Sequence, residues 1–96
     1  MTRPQPLDDP TIAARLADLT GWSREDDTIR KEYTCDGFAG AIAFVVRIGF
    51  LAEAANHHPD IDVRWRNVTI ALSTHDAGGL TTLDFDLATS IDEVSS

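Results

Sequence analysis

Residues 38–73 read FAGAIAFVVRIGFLAEAANHHPDIDVRWRNVTIALS, and the change of period inside this stretch decides the fold. From Phe38 to Asn56 apolar residues recur at helical spacing, on two stripes rather than one. Phe38, Ile42, Val45, Gly49 and Ala52 make the first; Phe44, Ile48, Leu51 and Ala55 make the second. Pro59 is expected to end this helix and to push His58 into an extended conformation. The period then drops to two. Val63–Arg66 and Val68–Ser73 read as a hairpin turning near Asn67, with Val68, Ile70 and Leu72 on one face.

Working outward, Asp9 before Pro10 has the form of a helix start, with Ile12, Leu16 and Leu19 on one face and Gly21 at the end. A short strand at Trp22–Arg24, a turn at Glu25–Asp27 and a strand at Thr28–Thr34 follow. Beyond the glycine loop, a last helix begins near Thr81, with Leu83, Leu87, Ile91 and Val94 on its buried face. The order is therefore α-β-β-α-β-β-α, an α+β chain. Its 96 residues make one domain, 1–96, in which only the proline-rich start (1–7) is expected to be flexible.

Composition excludes several classes. Sixteen acidic against eight basic residues give a net charge of −8, which disfavours nucleic acid and anionic membranes as partners, since both need a basic face. No run reaches the roughly 18 apolar residues of a membrane span, and the N-terminus lacks the apolar core of a signal peptide. Cys35 is the sole cysteine, so no intrachain disulfide can form and a cytoplasmic location is expected. In a domain this small, the second stripe of the long helix needs a partner surface, and a homo-oligomer, dimer or tetramer, is expected.

All three histidines, His57, His58 and His75, fall between Glu53 and Asp84. Imidazole titrates near neutrality, so this grouping points to proton handling or to metal. Each residue also has a plainer explanation. Glu53 and His57 stand at i,i+4 and could be a helix-surface pair, and His58 a solvated loop residue. Asp84, three positions after Thr81, fits a capping box with Asp in place of Glu. Trp22 and Trp65 could simply pack. Zinc is disfavoured because adjacent histidines diverge and no Cys pair or His-Glu-x-x-His spacing occurs.

Taken together, Glu53, His57, His58, Pro59, Trp65, His75 and Asp84 resemble the signature of the pterin-4a-carbinolamine dehydratases. Leu72-Ser73-Thr74-His75, Gly79-Leu80-Thr81, Leu87-Ala88, Gly21-Trp22 and Phe38 extend the similarity over most of the chain. Asn56 departs from it, at a position where relatives often carry aspartate. The resemblance implies a four-stranded antiparallel sheet with three helices packed on one face. It also implies a hydro-lyase that dehydrates 4a-hydroxytetrahydropterin to quinonoid dihydropterin by histidine acid–base catalysis, with neither metal nor cofactor. His57, His58 and His75 would be catalytic, and Glu53, Pro59, Trp65, Asp84 and Trp22 would bind or orient the pterin. Some relatives are instead dimerisation partners of a transcription factor or assembly factors. A non-catalytic protein of the same fold is therefore the alternative.

Overall fold

A computed structural model of the chain describes residues 4–95. Helix α1 (Asp9–Ala17) leads into strands β1 (Ser23–Glu25) and β2 (Thr28–Thr34), and the long α2 (Phe38–Ala55) follows. Strands β3 (Asp60–Arg64) and β4 (Asn67–Leu72), a single 3-10 turn at His75–Ala77 and α3 (Thr82–Glu93) complete the chain. The sheet runs β1-β2-β4-β3 with every pair antiparallel. This is the expected element order, with both hairpins intact and the β4 strand set between β2 and β3.

Alternation makes the sheet one-sided. Val68, Ile70 and Leu72 of β4 are fully buried, as is Ile29 of β2, while Arg30, Glu32 and Thr34 of β2 are exposed. Onto the buried face pack Ile12 of α1, Phe44 and Ile48 of α2, and Phe85 and Ile91 of α3. Fully burying one such aliphatic or aromatic side chain stabilises by about 1.5–3 kcal/mol. The edge of this core is fastened by Asp92. Its carboxylate accepts from Trp22 Nε1 at 3.1 Å, Lys31 Nζ at 2.9 Å and the Tyr33 hydroxyl. Burial, reinforced by this carboxylate, holds the Tyr33 phenol protonated well above its usual range.

Several local expectations are corrected. Asp8, not Asp9, caps α1, its Oδ1 accepting from Thr11 N at 2.9 Å. Hydrogen bonding from Thr11, through its side chain first and its backbone N–H second, lowers the Asp8 pKa. The helix closes at Ala17, and Gly21, with φ +87°, serves the turn into β1 rather than the helix end. Trp22 precedes β1 and is buried. The β3–β4 turn lies at Trp65–Arg66, because Asn67 already pairs with Arg64. Trp65 takes the left-handed φ of +54° there. The proline-rich start lies partly outside the described residues; of its remainder, Leu7 N donates to Leu80 O at 2.8 Å.

Helix α2 divides differently from the two stripes read in the sequence. Ala41, Phe44, Ile48 and Ala52 are buried, whereas Phe38, Ile42, Val46 and Phe50 are exposed. Each i+4 step advances about 40° around a helix, so the outward row drifts along 38, 42, 46 and 50, and Val45 and Gly49 fall at its border. Contrary to the sequence expectation, this 18-residue helix is long and apolar enough to cross a membrane by length and composition alone. Its buried row nevertheless belongs to the core shared with the sheet.

Candidate functional site

The site is built where α2 ends. Asn56 adopts φ +51°, ψ +43° and its N–H reaches Glu53 O at 3.2 Å, while His57 N reaches Ala52 O at 3.1 Å. This paired closure by a left-handed residue is a Schellman motif. It stops the helix three residues before Pro59, so the proline is not the terminator. Asparagine and aspartate tolerate the left-handed region better than other side-chain-bearing residues, which accounts for the residue type at position 56. The reversal sends His57 inward and leaves His58 at the surface.

His57 is only 4% exposed, and its Nε2 lies 2.6 Å from Oδ1 of the fully buried Asp84. The other oxygen, Oδ2, accepts from Thr74 Oγ1 at 2.8 Å and from Thr81 N at 3.0 Å. The Thr81 contact is half of the capping box of α3, whose N-cap is Thr81. Asp84 therefore fills the helix-capping role read from the sequence and also holds an imidazole. A carboxylate accepts and does not donate, so this contact calls for a proton on Nε2.

The two remaining histidines are exposed. His58 Nε2 lies 2.8 Å from Glu53 Oε1, so Glu53 partners His58 and not His57 as its i,i+4 spacing suggested. His75 Nε2 is 3.2 Å from Ser73 Oγ. Its short 3-10 turn ends at Gly78 with φ +76°, and a bridge between Thr74 and Gly79 closes the loop. His57, His58 and His75 line one open cleft of about 310 Å³ with Asn56, Ser73 and Asp76.

Of the other residues singled out in the sequence, Asp84 lies behind this cleft and Glu53 beside it, through His58. Pro59 leads into β3. Trp22 belongs to the Asp92 cluster. Trp65, 66% exposed, sits at the far end of β3, roughly 17 Å along the strand from Asp60. Neither tryptophan is among the lining residues. Sequence reasoning missed Asn56, Ser73 and Asp76 as cleft residues, and Thr74 as a partner of Asp84; the Thr81–Asp84 contact is the capping box read from the sequence. Of the missed residues only Asn56 carried a signal, since it closes an apolar helical run.

The family model of the pterin 4 alpha carbinolamine dehydratases matches residues 5–94. A Roseiflexus protein (strain RS-1) named "Putative pterin-4-alpha-carbinolamine dehydratase" is 64% identical over 88 residues, covering 92% of this chain and 95% of the relative. One of the same name from Nocardia farcinica is 53% identical over 89 residues, covering 93% and 94%. The chain belongs to the pterin 4 alpha carbinolamine dehydratase family.

Among solved structures, a transcriptional coactivator/pterin dehydratase from Brucella melitensis superposes with a TM-score of 0.92 at 24% identity, over 96% of this chain and all of that one. A pterin dehydratase-like RuBisCO assembly factor of the alpha-carboxysome superposes at 0.64 and 20% identity, over 78% and 87%. These likenesses establish the fold, including its one-sided layering.

Replacing Asn56 tests the helix closure. Asn56→Ala is expected to lower the free energy of unfolding by at least about 1 kcal/mol, the strain of a left-handed alanine, and Asn56→Gly, which carries no such strain, is expected to lose about 1 kcal/mol less than alanine. Urea denaturation followed by circular dichroism measures both.

Proposed function

We propose that the protein is a hydro-lyase that removes the 4a hydroxyl of 4a-hydroxytetrahydropterin as water and leaves quinonoid dihydropterin, without a metal. The observation that carries this reading is the convergence of His57, His58 and His75 on one cleft in a chain of this family. Hydroxide leaves poorly until protonated. An imidazolium gives its proton to the 4a oxygen, and the C4a–O bond breaks as the N5 lone pair forms the C=N bond. A neutral imidazole then takes the N5 proton. One proton is donated and one accepted, so the products are the dihydropterin and water. Each transfer is worth roughly 10²–10⁴-fold.

Proton transfer of this kind needs no Lewis acid, and it suits three imidazoles of which one is braced by a carboxylate. The alternative, a non-catalytic dimerisation or assembly protein, is favoured by the fold shared with the RuBisCO assembly factor. A binding module has no need of three imidazoles in one cleft, and the enzymatic reading is preferred for that reason. A cytoplasmic setting accords with the free Cys35 thiol.

The same reading includes a homo-oligomer, dimer or tetramer. The outward row of α2 would otherwise leave Phe38, Ile42, Val46 and Phe50 in water, a larger apolar strip than monomers usually carry. A second copy covers it most economically, since closed symmetric pairs are the commonest assemblies.

In a dehydration assay on freshly generated 4a-hydroxytetrahydropterin, His57→Ala and His75→Ala are each expected to reduce the catalysed rate at least roughly tenfold with unchanged circular dichroism. Wild-type rates in both variants sink the assignment. Wild-type activity should persist after exhaustive EDTA treatment; loss of activity restored by added metal overturns the metal-free mechanism.

Light scattering at micromolar concentration should give a multiple of the 10.5 kDa chain mass, and Ile42→Glu should reduce it to one chain without unfolding. Phe44→Glu and Ile48→Glu should unfold the protein, because both side chains face the sheet. A wild-type mass near 10.5 kDa rules the oligomer out.

A further inference from the structure

The threonines behind Asp84 form a hydrogen-bond chain whose direction can be assigned. Thr74 is 1% exposed and Thr81 fully buried. Thr74 Oγ1 donates to Asp84 Oδ2 at 2.8 Å, and a hydroxyl has a single proton to give. In the 2.8 Å contact between the two hydroxyls, Thr81 must therefore be the donor and Thr74 the acceptor. Thr81 Oγ1 accepts in turn from Leu83 N at 3.2 Å. Every donor points the same way, from the first turn of α3 through Thr81 and Thr74 to the carboxylate.

The chain has a chemical outcome at His57. Oδ2 already takes two donors, the Thr74 hydroxyl and Thr81 N–H, so the plane of the carboxylate is fixed and Oδ1 is aimed at Nε2, 2.6 Å away. An imidazole faced by such an acceptor is held as the Nε2–H tautomer.

We propose that Thr74 is a positioning residue for His57: acting through Asp84, its hydroxyl fixes the ring orientation and the tautomer that the cleft meets. The consequence for catalysis rests on the dehydratase reading above, whereas the tautomer itself does not. Thr74→Val removes the donor at nearly constant volume. It leaves Oδ2 with Thr81 N–H alone, takes the acceptor from the buried Thr81 hydroxyl, and frees the carboxylate to turn. Thr74→Ser retains the hydroxyl and should restore what valine removes.

The test combines nitrogen-15 NMR of the histidine rings, recorded on the substrate-free protein, with steady-state kinetics. His57 should show the Nε2–H tautomer in wild type and Thr74→Ser, and a mixed or inverted tautomer in Thr74→Val. The valine variant should lose kcat between roughly 10- and 100-fold, as misplaced catalytic groups do, with KM nearly unchanged, and serine should remain within about threefold of wild type. A wild-type protein in the Nδ1–H form overturns the proposal, as do wild-type nitrogen shifts and kcat in a folded Thr74→Val.

If the valine variant does not fold, Thr74→Cys, close in size with a weaker donor, is expected to show a partial tautomer shift. Wild-type shifts in that variant overturn the proposal equally. A wild-type protein with no dehydratase activity would sink the functional reading alone and leave the nitrogen shifts to decide the role of Thr74.

Discussion

The buried carboxylate of Asp84 ties three parts of the chain into one unit. A fully buried acid is tolerated only when its oxygens are matched. Here the matching groups come from the start of α3, from the end of the β4 segment at Thr74, and from the turn after α2 at His57. The pieces that meet at the cleft are thus held by the interaction that starts the last helix. Removing one partner leaves the others unmatched in the interior, a loss of about 1–3 kcal/mol per group. Stability and site geometry share the same atoms.

A second, partly buried acceptor gathers donors at the opposite end of α3. Asp92 gathers Trp22, Lys31 and Tyr33, fastening the start of β1 and the middle of β2 to the end of the helix. The two ends of α3 are thereby pinned to different strands, and its apolar face, Phe85, Ala88 and Ile91, is pressed along the sheet between them. Trp22 belongs to this structural knot and is remote in role from the histidines, although both were drawn from the same family pattern.

Much of the fold was legible because its signals are periodic and local. The alternation in Val68, Ile70 and Leu72 and the helical run from Phe38 survive in the structure nearly unchanged. The failures fall where three-dimensional context chooses between local alternatives. Period alone shows that α2 is apolar on two sides; which side faces the sheet depends on packing, so the stripes were divided incorrectly. Spacing allowed Glu53 to reach His57, yet the left-handed turn at Asn56 swings His57 inward and presents His58 to Glu53 instead. Asp84 was read as cap or as site residue, and nothing in a spacing says that one carboxylate can serve both. Thr74 carried no signal beyond standing next to His75, because a buried hydroxyl gains its meaning only from the acceptor it meets.

The unequal exposure of the three imidazoles bears on how the proposed reaction could repeat itself. After one dehydration the donor has lost a proton and the acceptor has gained one, so the pair is left in the wrong charge state although the net proton count is zero. His58 and His75 stand in contact with water and can exchange with solvent and buffer directly. His57, enclosed beside Asp84, has no such route except across the cleft. Recharging between turnovers would fall to the outer two histidines, making the open mouth of the cleft a conduit for protons as well as for pterin.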